Sequence, residues 1–157
     1  MPRLLSLAAL LALVSAAPAC PPADEIEVRV LAILASEHHT VVDKKLTQFA
    51  KQVQKKDPAL TGFKLDRSTN EPLKLGETKK FPLPGGQEVE VTVNKDRNEK
   101  GRVVLTIKPP GLNQITYDCV CDKYFSIATE SYVGKGKDRA RLFIAIKASP
   151  CGPAKKK

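Results

Sequence analysis

The chain has 157 residues, a formal net charge of +9 from 26 basic and 17 acidic side chains, four cysteines and no tryptophan. That length suits one domain with its own hydrophobic core. An aromatic share of 5% supplies few rings for stacking bases. The positive excess therefore speaks for solubility or for anionic surfaces such as an envelope component, and not for specific nucleic-acid recognition.

The first segment, MPRLLSLAALLALVSAAPAC, has one basic residue, an apolar run from Leu4 to Ala17 and small residues after it. This is the layout of a secretory signal peptide, expected over residues 1–19, with a processing site at Ala17-Pro18-Ala19. Export to the periplasm or the medium follows as the expected localisation. Cleavage directly before Cys20 would also make that residue a lipidation site, although Ala17 and Pro18 fit a lipobox only in part. Residues 20–24 then form a short proline-rich tether, residues 25–151 a single domain and residues 152–157 a basic tail. No later stretch is long and apolar enough for a transmembrane segment in the mature chain.

EIEVRVLAILA, residues 25–35, alternates strictly at first and then turns apolar on both sides. It reads as a strand that begins near a sheet edge and becomes central. After the loop SEHHT, VVDKKLTQFAKQVQKKDP sets Val42, Leu46, Phe49, Ala50 and Val53 on one helical stripe. Thr40 or Asp43 can cap that helix, and Pro58 ends it.

From Leu60 the pattern becomes short β segments. LTGFKLDRS and PLKLGETKKFPL are strand-like, PGG at 84–86 turns the chain, and QEVEVTV and RVVLTIK alternate around the turn NKDRNEKG. QITYDCVCDKYFSIAT and RARLFIAIKA follow as a last pair of strands around the loop YVGKGKDRA. The expected fold is α+β: one amphipathic helix packed on a mainly antiparallel sheet, with a strand-helix-strand opening followed by β hairpins and about six strands after the helix.

Chemistry-bearing residues are few. Cys119 and Cys121 form a C-x-C pair, with Cys20 and Cys151 the remaining cysteines. Strand parity directs both thiols of the pair to one face, and neighbours two apart on one strand do not bridge readily. In an exported chain the default is a disulfide from Cys151 to Cys119 or Cys121, with Cys20 available for a second bridge. The competing reading is a metal site made from Cys119, Cys121, His38 and His39. It lacks the second spaced pair that makes zinc motifs specific.

NKDRNEKG mimics a calcium loop but has Glu99 where glycine is needed and three cations. GKGKDR at 134–139 has glycines and cations without the spacing or following helix of a phosphate loop. No G-x-S-x-G or H-E-x-x-H signature is present, and no cofactor is implied.

VRVLAILAS, VDKKLTQFAKQVQKKDPALTGFKL, LGETKKFPLPGGQEVEVTV and RLFIAIKA together resemble a group of small exported bacterial proteins with no assigned activity. The resemblance implies an envelope or secreted location and the same opening topology, and it brings no catalytic motif. The function expected is that of a non-enzymatic exported interaction protein whose partner is a protein or an anionic envelope component. An exported metal-binding protein is the alternative.

Overall fold

The computed structural model describes residues 25–95 and 102–150. The expected signal and tether segments, Cys20, Cys151, the expected basic tail and most of the NKDRNEKG turn lie outside these residues.

The expected α+β fold is present, as two sheets and one α-helix among the described residues. Strand β1 (Glu25–Ser36) leads through a short 3-10 turn at Lys44–Leu46 into helix α1 (Thr47–Gln54). There follow β2 (Gly62–Lys74), β3 (Thr78–Pro82), β4 (Glu88–Lys95), β5 (Arg102–Lys108), β6 (Ile115–Val120), β7 (Phe125–Val133) and β8 (Ala140–Pro150). The first sheet has the order β2-β1-β8-β7 and the second β3-β4-β5-β6. All strand pairs are antiparallel, and the β3–β4 and β4–β5 hairpins match the sequence pattern.

The apolar alternation has one cause, the packing of the two sheets face to face. Ile26, Val28, Val30 and Ala32 of β1 and Leu142, Ile144, Ile146 and Ala148 of β8 meet Phe81, Val89, Val91, Val93, Val103, Leu105 and Ile107 of the second sheet. Full burial of each large side chain stabilises by roughly 1.5–3 kcal/mol. The open sides between edge strands are closed by different chemistry. Lys79 of β3 lies 3.4 Å from Glu71 of β2 on one side, and Tyr117 of β6 stacks on Phe125 of β7 at 4.0 Å on the other.

β1 is interior along its whole length, paired with β2 on one edge and β8 on the other. Its change from alternation to continuous burial is therefore not a passage from edge to centre. The odd-numbered face is open to solvent at Glu27 and Arg29, and farther on Ile33 and Ala35 are covered by α1. Leu46, Ala50, Leu60, Phe63, Phe143 and Ala145 complete this second core, with Phe49 set edge-on to Phe63 and Phe143.

Asp43 precedes the helical segment but makes no side-chain cap. Its carboxylate accepts the Leu65 N–H at 2.7 Å while its own N–H donates to the Phe63 carbonyl at 2.9 Å. Both bonds tie the entry to α1 onto β2, as does the parallel bridge between Val42 and Phe63. Replacing Asp43→Ala is expected to lower stability by about 1–2 kcal/mol, and Asp43→Asn by less, because the amide oxygen keeps an acceptor. Urea denaturation checks the order of the three proteins; equal midpoints would show that the tie carries no weight.

Candidate functional site

The last strands depart from the expected pairing. ITYDCV and FSIATESYV are two strands in different sheets, separated by a turn at Asp122, whose φ is 63°. An aspartate tolerates this left-handed geometry better than most side chains. Only the second of the two pairs with β8, so the C-x-C strand is not the neighbour of the strand that leads to Cys151.

The two thiols consequently differ. Cys119 lies opposite Val103 in the β5–β6 ladder, is buried in the main core, and donates through Sγ to the Val103 carbonyl at 3.0 Å. Burial, followed by the neighbouring Cys121, pushes its pKa up to about 11. Cys121 lies beyond the end of β6, half-buried, so strand parity does not govern it. The Asp122 N–H donates to the Ala148 carbonyl at 2.9 Å, which brings this turn beside the end of β8. Cys119 and Cys121 are not bonded to each other.

His38 and His39 follow β1 and are exposed. The C-x-C turn is level with Ala148, the partner of Val28 near the start of β1. Eight residues of strand separate Val28 from Ser36, roughly 25 Å at about 3.3 Å per residue. A single metal site holding Cys119, Cys121, His38 and His39 does not fit that separation. Among the described residues no group of three or more potential ligands converges.

The structure instead joins the histidine loop to the GKGKDR hairpin, two segments that are far apart in sequence. His39 Nε2 lies 3.7 Å from Asp138 Oδ1. Beside this contact a cleft of about 320 Å³ opens at the far pole of the first sheet, bordered by Glu37, His38, Asp57, Tyr132, Arg139 and Arg141. Arg139 and Arg141, two residues apart at the start of β8, supply its cations.

Local irregularity in β7 builds this cleft. Ala128 pairs with Phe143 but Tyr132 pairs with Arg141, so β7 carries extra residues in a bulge. Thr129, buried in the bulge, donates its hydroxyl to the Leu142 carbonyl at 2.6 Å and accepts the Ser131 N–H at 3.2 Å. The Thr129 carbonyl takes Arg141 Nε at 2.8 Å. Downstream of the bulge, the Tyr132 ring lies 3.9 Å below the Arg139 guanidinium.

The guanidinium of Arg141 stands 5.4 Å over Phe143, and its nearest carboxylate oxygen, on Asp57, is 3.9 Å away, beyond hydrogen-bond reach. Arg139 makes no ion pair within 4 Å among the described residues. Arg139 is thus steadied by a ring, and Arg141 by a ring, a backbone carbonyl and the more distant Asp57 carboxylate, and both border the cleft.

Two other surfaces offer less. A threonine row, Thr78, Thr92, Thr106 and Thr116, crosses the outer face of the second sheet. Its hydroxyls largely satisfy one another: Thr78 bonds Thr92 at 2.6 Å, and Asn94 donates to Thr106. A hollow of about 460 Å³ beside Pro84–Gly86 is bordered by Lys80 and Glu88, which already pair with each other.

Comparison with family models, characterised proteins and solved structures gives no match to this chain. The described residues contain no helix long and apolar enough to cross a membrane.

Two outcomes are expected here. Folded Cys119 keeps its proton up to about pH 11, whereas an unfolded thiol releases it near pH 9.0. Stability falls as pH rises between these values, by up to about 2–3 kcal/mol, because the unfolded state alone gains from ionisation. Denaturation of wild type and Cys119→Ala at pH 8 and pH 10.5 should show a steeper loss in wild type; parallel losses would contradict the assignment. Arg141→Gln should destabilise by about 1 kcal/mol through loss of the Thr129 tie, while Arg139→Gln should leave the melting temperature nearly unchanged. Thermal melts of both variants test the contrast, and an equal loss in both would refute it.

Proposed function

We propose that this protein is an exported, non-enzymatic interaction domain that contacts an anionic component of the cell envelope through the cleft at the pole remote from Glu25 and Pro150. The observation that carries this reading is the Arg139–Arg141 pair: two cations beside aromatic rings that border one cleft, Arg139 with no ion pair among the described residues and Arg141 with Asp57 no nearer than 3.9 Å. Preorganised guanidinium groups of this kind lose little freedom on meeting an anion. The basic excess of the whole chain adds long-range attraction.

Export rests on the leader pattern, and the fold is consistent with a tether. Glu25 begins β1 and Pro150 ends β8 at the same pole, where Ile26 and Pro150 are partners. A lipid on Cys20, five residues before Glu25, would hold that pole to a membrane and turn the cleft outward.

Cys151 directly follows Pro150 in sequence, and the Cys121 turn is hydrogen-bonded to β8 at Ala148. We assign the bridge to Cys121–Cys151, with Cys119 left as a core thiol. Such a staple would join the β6–β7 turn to the last strand and so connect the two sheets.

The test uses protein purified from its producing cell without chelator. Non-reducing peptide mapping should yield a Cys121–Cys151 linked peptide and an unmodified Cys119; a Cys119–Cys151 peptide would overturn the assignment. Retention on isolated envelope material should fall severalfold in Arg139→Gln. Unchanged retention would reject the cleft as the contact, and stoichiometric zinc or copper lost with Cys121→Ser would favour a metal-binding protein instead.

A further inference from the structure

The charges around the cleft are not of one sign, and this restricts the ligand more than the arginines alone do. Arg139 and Arg141 present guanidinium N–H groups, while Glu37 and Asp57 present carboxylates to the same space. His38 stands on the β1 side of the opening, able to donate or accept. A dense polyanion such as a polyphosphate would find its charge opposed by two carboxylates. A neutral saccharide would leave Arg139, which has no ion pair among the described residues, without an anionic acceptor.

A ligand with one carboxylate and several hydroxyls meets both sets of groups. Its carboxylate takes the N–H groups of the arginines, and its hydroxyls donate to Glu37 and Asp57. The volume, about 320 Å³, lies at the lower end of the range for small-molecule sites of roughly 300–1,000 Å³, enough for one hexose-sized unit. Tyr132, exposed at the rim with Arg139 over its ring, adds a hydroxyl able to donate or accept.

On these grounds we infer that the cleft binds an acidic sugar unit, a uronate, within a carboxylated polysaccharide. The inference rests on the reading of the cleft as an anion contact and names the chemistry of that anion. Arg139 and Arg141 together clasp the carboxylate from one edge of the cleft. Arg141 is fixed by Thr129 and Phe143, so Arg139, stacked on Tyr132 in the hairpin, is the residue to change.

The experiment is a calorimetric titration of the full mature protein with trigalacturonate, trigalactose and inorganic phosphate at fixed ionic strength. Trigalacturonate is expected to bind, and Arg139→Gln to weaken it by about tenfold or more, since hydrogen bonds to charged groups are the strong ones. The double variant Lys135→Gln/Lys137→Gln removes two exposed charges of the same hairpin outside the cleft. It should cost less than about threefold.

Equal losses in the two variants would reduce the effect to unspecific attraction and overturn the proposal. So would equally tight binding of trigalactose, or binding of phosphate in preference to trigalacturonate. If trigalacturonate does not bind at all while Arg139→Gln still loses retention on envelope material, the uronate is wrong and the cleft contact stands. If both fail to respond, the cleft reading falls as well.

Discussion

The structure depends on one strand that is paired along both edges, buried on one face, and covered on the other face in its second half. β1 is hydrogen-bonded along both edges, and its even-numbered residues form the floor of the main core. In its second half the opposite face carries the smaller core beneath α1. Shifting β1 by one residue would exchange these faces, exposing Val28 and Val30 and burying Glu27 and Arg29. The register of β2 and β8, and with them the placement of α1, follows from that exclusion.

Much of this was legible in the residues because burial on one face leaves a period. The helical stripe Val42, Leu46, Phe49, Ala50 and Val53 and the alternation in β4 and β5 follow directly from it. The division into two sheets was not legible, since a strand facing a helix and a strand facing a second sheet show the same alternation. β2 read as two fragments because its middle, Asp66 to Asn70, is polar in both directions at a sheet edge. The turn between β6 and β7 escaped notice for a different reason: it uses Asp122 in place of glycine or proline.

The candidate site was legible as separate pieces. The two histidines and the GKGKDR hairpin stood out by composition, but nothing in their spacing announces that β1 and β8 bring them to one pole. Tyr132 and the R-A-R run of Arg139 and Arg141 match no known site motif, and their relation is set by a bulge that no periodicity reveals. The i, i+2 repeat of arginine at the entry of an apolar strand was the available signal, because such residues share a face. For the cysteines the converse holds. C-x-C looked like a matched pair, and the end of β6 after Val120 makes its members a core thiol and a turn thiol.

The pairing of Ile26 with Pro150 also fixes how the domain meets mechanical load. β1 and β8 are antiparallel neighbours whose outer ends leave side by side. Tension drawn between those ends would open their ladder one hydrogen bond at a time, as a zip opens, instead of straining all the bonds together in shear. A domain strung between two anchors in this way would yield at low force, whereas one held from a single end keeps its ladder unloaded. The topology therefore gives little resistance to tension drawn between Glu25 and Pro150 and leaves the ladder unloaded when only one of those ends is held.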